Sequence, residues 1–308
     1  QVIELALKEN RDPRVTALNV EKARAMYGVQ RSELFPTVAT AASNAGKHTP
    51  ASVQGRSTTT HTYTAQLAMA SYEIDFFGRV RNLNEQALQA YLASDDARRS
   101  MQSTLIAQVA MGWLTLGADQ AQLELQKETL KSQEESFKLI EDSYRLGAAS
   151  QLDYEQARTT VAAARAQIAS YIRAVAQDKN ALNLLCGGTV PENLLPTNLA
   201  TGVTQTAVLP EGLPSEVLLN RPDIMASERQ LRSAEANIGV ARAAFFPSVS
   251  LTAGAGSMGM HMSDLFDAHT GFWSFTPSIN LPIFTGGRNK ANLEAAKVGQ
   301  KIAVANYE

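Results

Sequence analysis

The sequence predicts an α+β membrane protein with four transmembrane β-strands and one long antiparallel α-helical coiled-coil hairpin per chain, laid out as an internal duplication. Three observations point there. The chain matches itself at a spacing near 210 residues. Its strands alternate apolar with uncharged polar residues. A stretch of 67 residues without proline, Arg79–Arg145, carries a heptad repeat.

The 308 residues are 44% apolar, enough for a packed core. A net charge of −2 argues against a phosphate-binding surface, so no nucleic-acid partner is expected. The single cysteine, Cys186, excludes an intramolecular disulfide framework and a cysteine-rich metal cage. No apolar run reaches the roughly 18 residues that a membrane helix needs, so any crossing must be made by strands. Gln1 stands inside what reads as a helix with Val2, Leu5 and Ala6, and no signal peptide precedes it in this sequence.

At an offset of 211, Asp12/Asp223, Ala23/Ala234, Gly28/Gly239, Arg31/Arg242, Phe35/Phe246 and Pro36/Pro247 are identical. The offset slips to 209 for Ile74/Ile283, Gly78/Gly287, Arg79/Arg288 and Glu85/Glu294, as a change of loop length would cause. Each copy reads helix, strand, loop, strand, long helix. Residues 1–186 form the first copy: a helix from about Val15 to Leu34, strands over 37–46 and 62–74 around a loop Lys47–His61, and a hairpin over 79–185. Residues 187–214, rich in Gly, Pro, Thr and Asn, form a connector. Residues 215–308 form a second, truncated copy. It has a helix ending at Phe245, strands over 248–257 and 272–284 around a loop Met258–Gly271, and the start of a long helix over 288–308.

The strands have two unlike faces. Tyr63, Leu67, Met69, Val249, Leu251, Trp273, Phe275, Ile279 and Leu281 fall on apolar faces. Thr62, Thr64, Gln66, Ser250, Thr252, Ser274, Thr276, Ser278 and Asn280 fall on polar faces that carry no charge. A half-buried sheet on a soluble core would show the same alternation. A transmembrane barrel, apolar face to lipid and polar face to a wet lumen, also fits. Two features favour the barrel. The strands run about 9 to 13 residues, long enough to cross a bilayer at a tilt. Tyr63, Tyr72, Trp273 and Phe284 cluster toward strand ends, as an interfacial belt would.

Val109, Leu116, Leu123, Leu130, Phe137 and Tyr144 recur every seventh residue, as do Tyr154, Val161, Ile168, Val175 and Leu182. Ala157, Ala164, Tyr171 and Leu185 complete a coiled-coil seam. The helix from Arg79 to Arg145 would be roughly 100 Å long at about 1.5 Å per residue. Gly147 suits a left-handed helix end, and Ser150 with Asp153 resembles a capping box. The hairpin tip is therefore Arg145–Asp153, with Gly147, Ala148, Ala149 and Ser150 forming a shallow surface. Arg145 and Asp153 would flank it, as a solvated pair or as docking charges.

Four strands cannot close a barrel, since about eight are the minimum, and open edges are excluded from lipid. The barrel must be shared between subunits. Tyr72-Glu73-Ile74-Asp75-Phe76-Phe77-Gly78-Arg79, Asn220-Arg221-Pro222-Asp223-Ile224, Ala243-Ala244-Phe245-Phe246-Pro247-Ser248 and Pro277-Ser278-Ile279-Asn280-Leu281-Pro282-Ile283-Phe284 resemble motifs of the TolC-like outer-membrane efflux proteins. The resemblance is specifically to the OprM-like lipoprotein branch, which partners resistance–nodulation–division (RND) pumps. The resemblance spans essentially the whole chain. It implies a homotrimer with a 12-stranded barrel in the outer membrane of a Gram-negative bacterium and an α-helical tunnel in the periplasm. It also implies a periplasmic adaptor, an inner-membrane RND transporter and outer-membrane lipid as partners. The tip residues Arg145, Gly147, Ala148, Ser150 and Asp153 would dock the adaptor. The branch carries a signal peptide, a lipidated cysteine and a second helical hairpin that this sequence lacks. The duplication suggests that the intact protein continues past Glu308 into that second hairpin, and a lipid anchor is expected there too.

The expected role is a passive exit duct for drugs and small molecules, with no enzymatic chemistry and no cofactor. A periplasmic coiled-coil scaffold with a small soluble sheet is the alternative. Gly254-Ala255-Gly256-Ser257-Met258-Gly259 spells G-x-G-x-x-G, but no clear helix follows and no acidic residue sits about 20 further on. His48, His61, His261 and His269 lie in or beside loops without metal-ligand spacing and read as solvated. Cys186, at a helix end, reads as a buried structural thiol.

Overall fold

The computed structural model describes residues 1–51, 55, 57–196, 212 and 214–308. The elements in chain order are α1 (Val2–Glu9), α2 (Arg11–Ser32), β1 (Val38–Thr49), β2 (Thr58–Ile74), α3 (Arg79–Arg145), α4 (Gln151–Cys186), α5 (Pro222–Ala243), β3 (Ser248–Gly259), β4 (Gly271–Asn280) and α6 (Arg288–Tyr307). Short 3-10 turns lie at Glu192–Leu194, Ser215–Asn220 and Met262–Phe266. Residues 197–211 and 213 of the expected connector lie outside the described residues.

The chain divides into two compact units. One contains Gln1–Leu18 with Ala97–Leu218, the other Asn19–Asp96 with Leu219–Glu308. This spatial division cuts across the sequence repeat, because α2 and α3 each contribute to both units.

In the first unit, Leu105, Val109 and Leu116 of α3 meet Leu182 and Cys186 of α4, Ala6 of α1 and Val190 in one buried cluster. The seam extends outward from it. Val161 and Ala164 are buried, and Phe137 and Tyr144 contact Tyr154 with ring centres 5.5 and 5.2 Å apart. Alanine spacing on α4 lets the two helices approach closely. Arg165 pairs with Glu134 across the hairpin at 2.7 Å. The helix expected from Val15 begins at Arg11 instead. Asn10 is its cap: its Oδ1 accepts the Asp12 N–H at 2.7 Å, while its Nδ2 donates to the Leu185 carbonyl at 2.7 Å. Pro13 is tolerated because the first turn has no intrahelical use for its missing N–H.

In the second unit, four strands form one antiparallel sheet in the order β1-β2-β3-β4. Each copy of the repeat supplies a pair of strands and then a helix. The strands are longer at the loop end than the sequence suggested. Lys47, His48 and Thr49 pair with Thr60, Thr59 and Thr58, so much of the expected loop Lys47–His61 is ladder. β-Branched threonines account for this; residues 52–54 and 56 lie outside the described residues. β4 is shorter, ending at Asn280 rather than at residue 284. Pro282 has no N–H to give a ladder, and the strand stops short of it. Leu281, expected on the apolar face, is therefore outside the strand.

Both copies leave the sheet through glycines in the left-handed region, Gly78 (φ 79°) and Gly287 (φ 86°), followed by Arg79 and Arg288. The first exit is pinned by charge. Arg79 donates to Glu73 at 2.7 and 2.5 Å through two guanidinium nitrogens, and Arg81 donates to Asp75 from its backbone N–H at 2.8 Å and from Nε at 3.1 Å. Phe77 stacks on Phe246 at 4.8 Å. Asn289, after the second exit, donates to the Ala244 carbonyl at 2.6 Å.

Candidate functional site

The sheet is the first candidate, and its register decides what each face carries. Gln66 pairs with Gly256, and Leu67 with Ala255. Ser250, Thr252 and Gly254 pair with Ser278, Thr276 and Ser274, while Val249, Ala253 and Ala255 pair with Ile279, Phe275 and Trp273. Directly paired residues share a face. Thr62, Thr64, Gln66, Ser250, Thr252, Ser274, Thr276, Ser278 and Asn280 therefore lie on one face. Tyr63, Leu67, Met69, Val249, Leu251, Trp273, Phe275 and Ile279 lie on the other.

Between Met69 and Tyr72 the β2–β3 register shifts by one residue. A bulge of this kind reverses the parity of the strand. It brings Tyr72 and Ile74, opposite Leu251 and Val249, onto the same face as Leu67. Without it, Tyr72 and Ile74 would fall on the polar face. On this face Leu67, Trp273, Phe275 and Ile279 are exposed, Trp273 by 79% and Ile279 by 72%, while Tyr63, Met69, Val249 and Leu251 are half-buried. β1 and β4 form the two edges of the sheet.

The hairpin tip is the second candidate. α3 ends in a Schellman arrangement. The Gly147 N–H (φ 78°) donates to the Tyr144 carbonyl at 3.0 Å, and the Ala148 N–H donates to the Ser143 carbonyl at 2.8 Å. α4 starts with a complete capping box. Ser150 Oγ accepts the Asp153 N–H at 3.2 Å, and Asp153 Oδ2 accepts the Ser150 N–H at 3.1 Å. Hydrogen bonds from the Ser150 hydroxyl and N–H hold the Asp153 carboxyl below the usual carboxylate range. Arg145 and Asp153 do not pair. Arg145 donates to Asp142 at 2.6 Å, one turn back on its own helix, while Asp153 is taken up by the cap. Two residues at the tip were missed in the sequence: Leu146 is 82% exposed, and Leu152 is also exposed. Both fall outside the heptad register, which was the available signal that they are not seam residues.

Gly254, Gly256 and Gly259 lie within β3, and only a 3-10 turn follows, so the dinucleotide motif lacks its helix. Among the described residues no three His, Cys, Asp or Glu side chains group as metal ligands. Among them, too, no helix is long and apolar enough to cross a membrane. Cys186 is buried, and burial pushes its thiol up from its ordinary value.

With that geometry in hand, comparison with known proteins is decisive. The outer membrane efflux protein family model matches residues 2–188 and 213–308. This chain belongs to that family. It is 49% identical over 310 residues to the toluene efflux pump outer membrane protein TtgC of Pseudomonas putida, covering all of this chain and 64% of that protein. It is 40% identical over 309 residues to the cation efflux system protein CusC of Escherichia coli, covering all of this chain and 66% of that protein. A membrane protein from Pseudomonas aeruginosa of known crystal structure superposes with a TM-score of 0.92 at 41% identity, covering all of this chain and 71% of that one. The chain thus spans about two-thirds of the length of these relatives. The helices and four-stranded antiparallel sheet are part of a TolC-like duplicated fold.

Proposed function

We propose that this chain belongs to the outer-membrane exit channel of a tripartite efflux pump, a passive duct for drugs and small molecules with no chemistry of its own. The observation that carries this is the two-faced sheet. Nine uncharged polar residues share one face, where the register also places Lys47 and Glu73 toward its two ends, and an apolar set, exposed at Leu67, Trp273, Phe275 and Ile279, shares the other. In a soluble protein such an apolar face would need a cover; in a bilayer, lipid is the cover. The polar face then lines a wet lumen whose small hydroxyl and amide groups discriminate weakly among solutes.

The unpaired edges β1 and β4 must be satisfied by neighbouring copies, since lipid offers no hydrogen bonds. Three copies give a 12-stranded barrel in the outer membrane of a Gram-negative bacterium, in keeping with the TolC-like fold. The α3–α4 hairpin lies in the periplasm, and its tip meets the helical adaptor of the pump. Gly147, Ala148 and Ser150 leave a shallow surface there, with Arg145 and Asp153 beside it and Leu146 and Leu152 supplying apolar contact. The inner-membrane transporter supplies the energy. The names of the relatives cover both toluene and cation efflux, and both are compatible with a duct that is itself unselective.

Site-directed labelling tests the reading. Cysteines at Leu67, Leu251 and Ile279 of the full-length protein in membranes should resist a membrane-impermeant thiol reagent. Cysteines at Thr64, Thr252 and Ser278 should react through the lumen. Equal labelling of both sets would remove the barrel.

A further inference from the structure

We propose that the second exit from the sheet, residues 281–290, docks on anionic phospholipid headgroups of the inner leaflet of the outer membrane, a docking that rests on the barrel reading and adds a lipid class to it. Arg288 and Lys290 meet the phosphates, and Ile283 and Phe284 enter the acyl layer beside them. The internal repeat exposes the asymmetry. At the offset of 209, Arg79 aligns with Arg288 and Arg81 with Lys290, so both copies start their long helix with two cations. The acidic partners are not repeated: Glu73 aligns with Pro282, and Asp75 with Phe284.

The structure shows what this leaves behind. In the first copy Arg79 donates to Glu73 and Arg81 to Asp75. In the second, Arg288 and Lys290 are exposed and form no ion pair among the described residues. Arg288 borders the same recess of about 280 Å³ as Glu73 and Asp75, but those carboxylates are already held by Arg79 and Arg81. Cations in the first turn of a helix also oppose its dipole. An anion supplied from outside the chain relieves both charges.

Apolar exposure indicates where that anion resides. Ile283 is 93% and Phe284 90% exposed, and Leu281 is exposed as well. These residues follow β4, whose Trp273, Phe275 and Ile279 are exposed on the apolar face of the sheet. Along the chain, an exposed apolar stretch therefore ends at two unpaired cations. That order matches a bilayer boundary, with acyl chains against the first part and phosphates against the second. In the barrel reading the helical end of the sheet faces the periplasm, so the lipid is a glycerophospholipid of the inner leaflet. Phosphatidylglycerol carries the net negative charge that the two cations call for; phosphatidylcholine, neutral overall, does not.

The test is lipid retention by the full-length protein in a neutral detergent, with phosphatidylglycerol or phosphatidylcholine of the same acyl chains added, read by native mass spectrometry. The expected result is preferential retention of phosphatidylglycerol. Arg288→Gln/Lys290→Gln should lower that preference about fivefold for each basic residue removed. Lys297→Gln/Lys301→Gln removes the same charge from exposed positions roughly 13 to 20 Å further along α6, beyond a screening length, and should leave the preference in place. Equal retention of the two lipids by the wild type would overturn the proposal while leaving the barrel standing. A preference that survives the exit variant, or falls as far in the control, would overturn it too. Loss of assembly in the exit variant without any lipid preference in the wild type would assign the two cations to a neighbouring copy instead. A full-length protein that retains neither lipid would remove the barrel reading as well. The wild-type comparison needs no variant, so a folding defect in a substituted chain does not shield the proposal.

Discussion

Gly187 serves two purposes at the end of α4. Its φ of 74° lies in the left-handed region, where its N–H caps the helix on the Asn183 and Leu184 carbonyls. It also sits where a Cβ would come within 2.6 Å of the Glu9 carbonyl oxygen at the end of α1. Gly187→Ala should therefore cost about 1–2 kcal/mol for the backbone conformation alone, with the α1 contact adding to it. Gly188→Ala is the control, because nothing lies within 4 Å of a Cβ there. Thermal unfolding followed by helical circular dichroism should show a lowered midpoint for the first variant and little change for the second. Equal shifts would show that neither the left-handed backbone nor the close approach of α1 matters at Gly187. The neighbouring Cys186 belongs to the same corner: it is wholly buried in the α1–α3–α4 cluster, so its role is packing rather than reaction.

At the scale of the element, the hairpin carries one group that works against its stability. Asp178 of α4 faces Asp119 of α3. Burial and this second carboxylate hold the Asp178 pKa above its ordinary value. Its Oδ2 is buried without a hydrogen-bond partner, an environment that disfavours the ionised carboxylate. A raised carboxyl pKa means the folded hairpin prefers the protonated form. Its contribution to stability is present below the ordinary carboxylate pKa and is lost as pH rises through the raised value. Asp178→Asn should melt higher than wild type at neutral pH, and the gap should narrow as pH is lowered. A gap independent of pH would remove the pairing. Much of this element could be read from sequence. Heptads fix which residues face inward whatever the surroundings, so Val109, Leu116, Val161 and Leu182 were identifiable as seam. Gly147 and the Ser150–Asp153 pair fixed the turn by local chemistry. The strands were less legible. A bulge such as that between Met69 and Tyr72 is set by the partner strand, and no residue in β2 announces it. The ends of β1 and β2 depended on pairing between Lys47–Thr49 and Thr58–Thr60, where local composition resembles a loop. Arg145 illustrates the same limit, since its choice of Asp142 over Asp153 follows from the cap having already claimed the second carboxylate.

For the whole molecule, the sheet makes a prediction about assembly. The four strands leave two edges, and the apolar face is exposed at Leu67 of β2 and at Trp273, Phe275 and Ile279 of β4. Both features are unfavourable in a separate chain and are relieved together when copies join edge to edge in a bilayer. Leu251 lies near the centre of this arrangement, on β3 between Tyr72 of β2 and Pro277 of β4. In the proposed barrel its face would meet lipid, so Leu251→Arg should cost about 2–4 kcal/mol if placed near the bilayer midplane. Thr252 is the next residue and points to the other face, opposite Thr276. In the proposed barrel a charge there would meet water in the lumen and should be tolerated. The two variants differ by a single position along the strand, so local strand propensity affects them alike and only the environment of the face separates them. The measurement is the yield and heat resistance of the trimer extracted from membranes. Leu251→Arg should lower both, and Thr252→Arg should leave both near wild type. Equal loss in the two variants would mean that the faces are not distinguished by lipid and water, and a stable water-soluble monomer of the full-length protein would remove the shared barrel altogether.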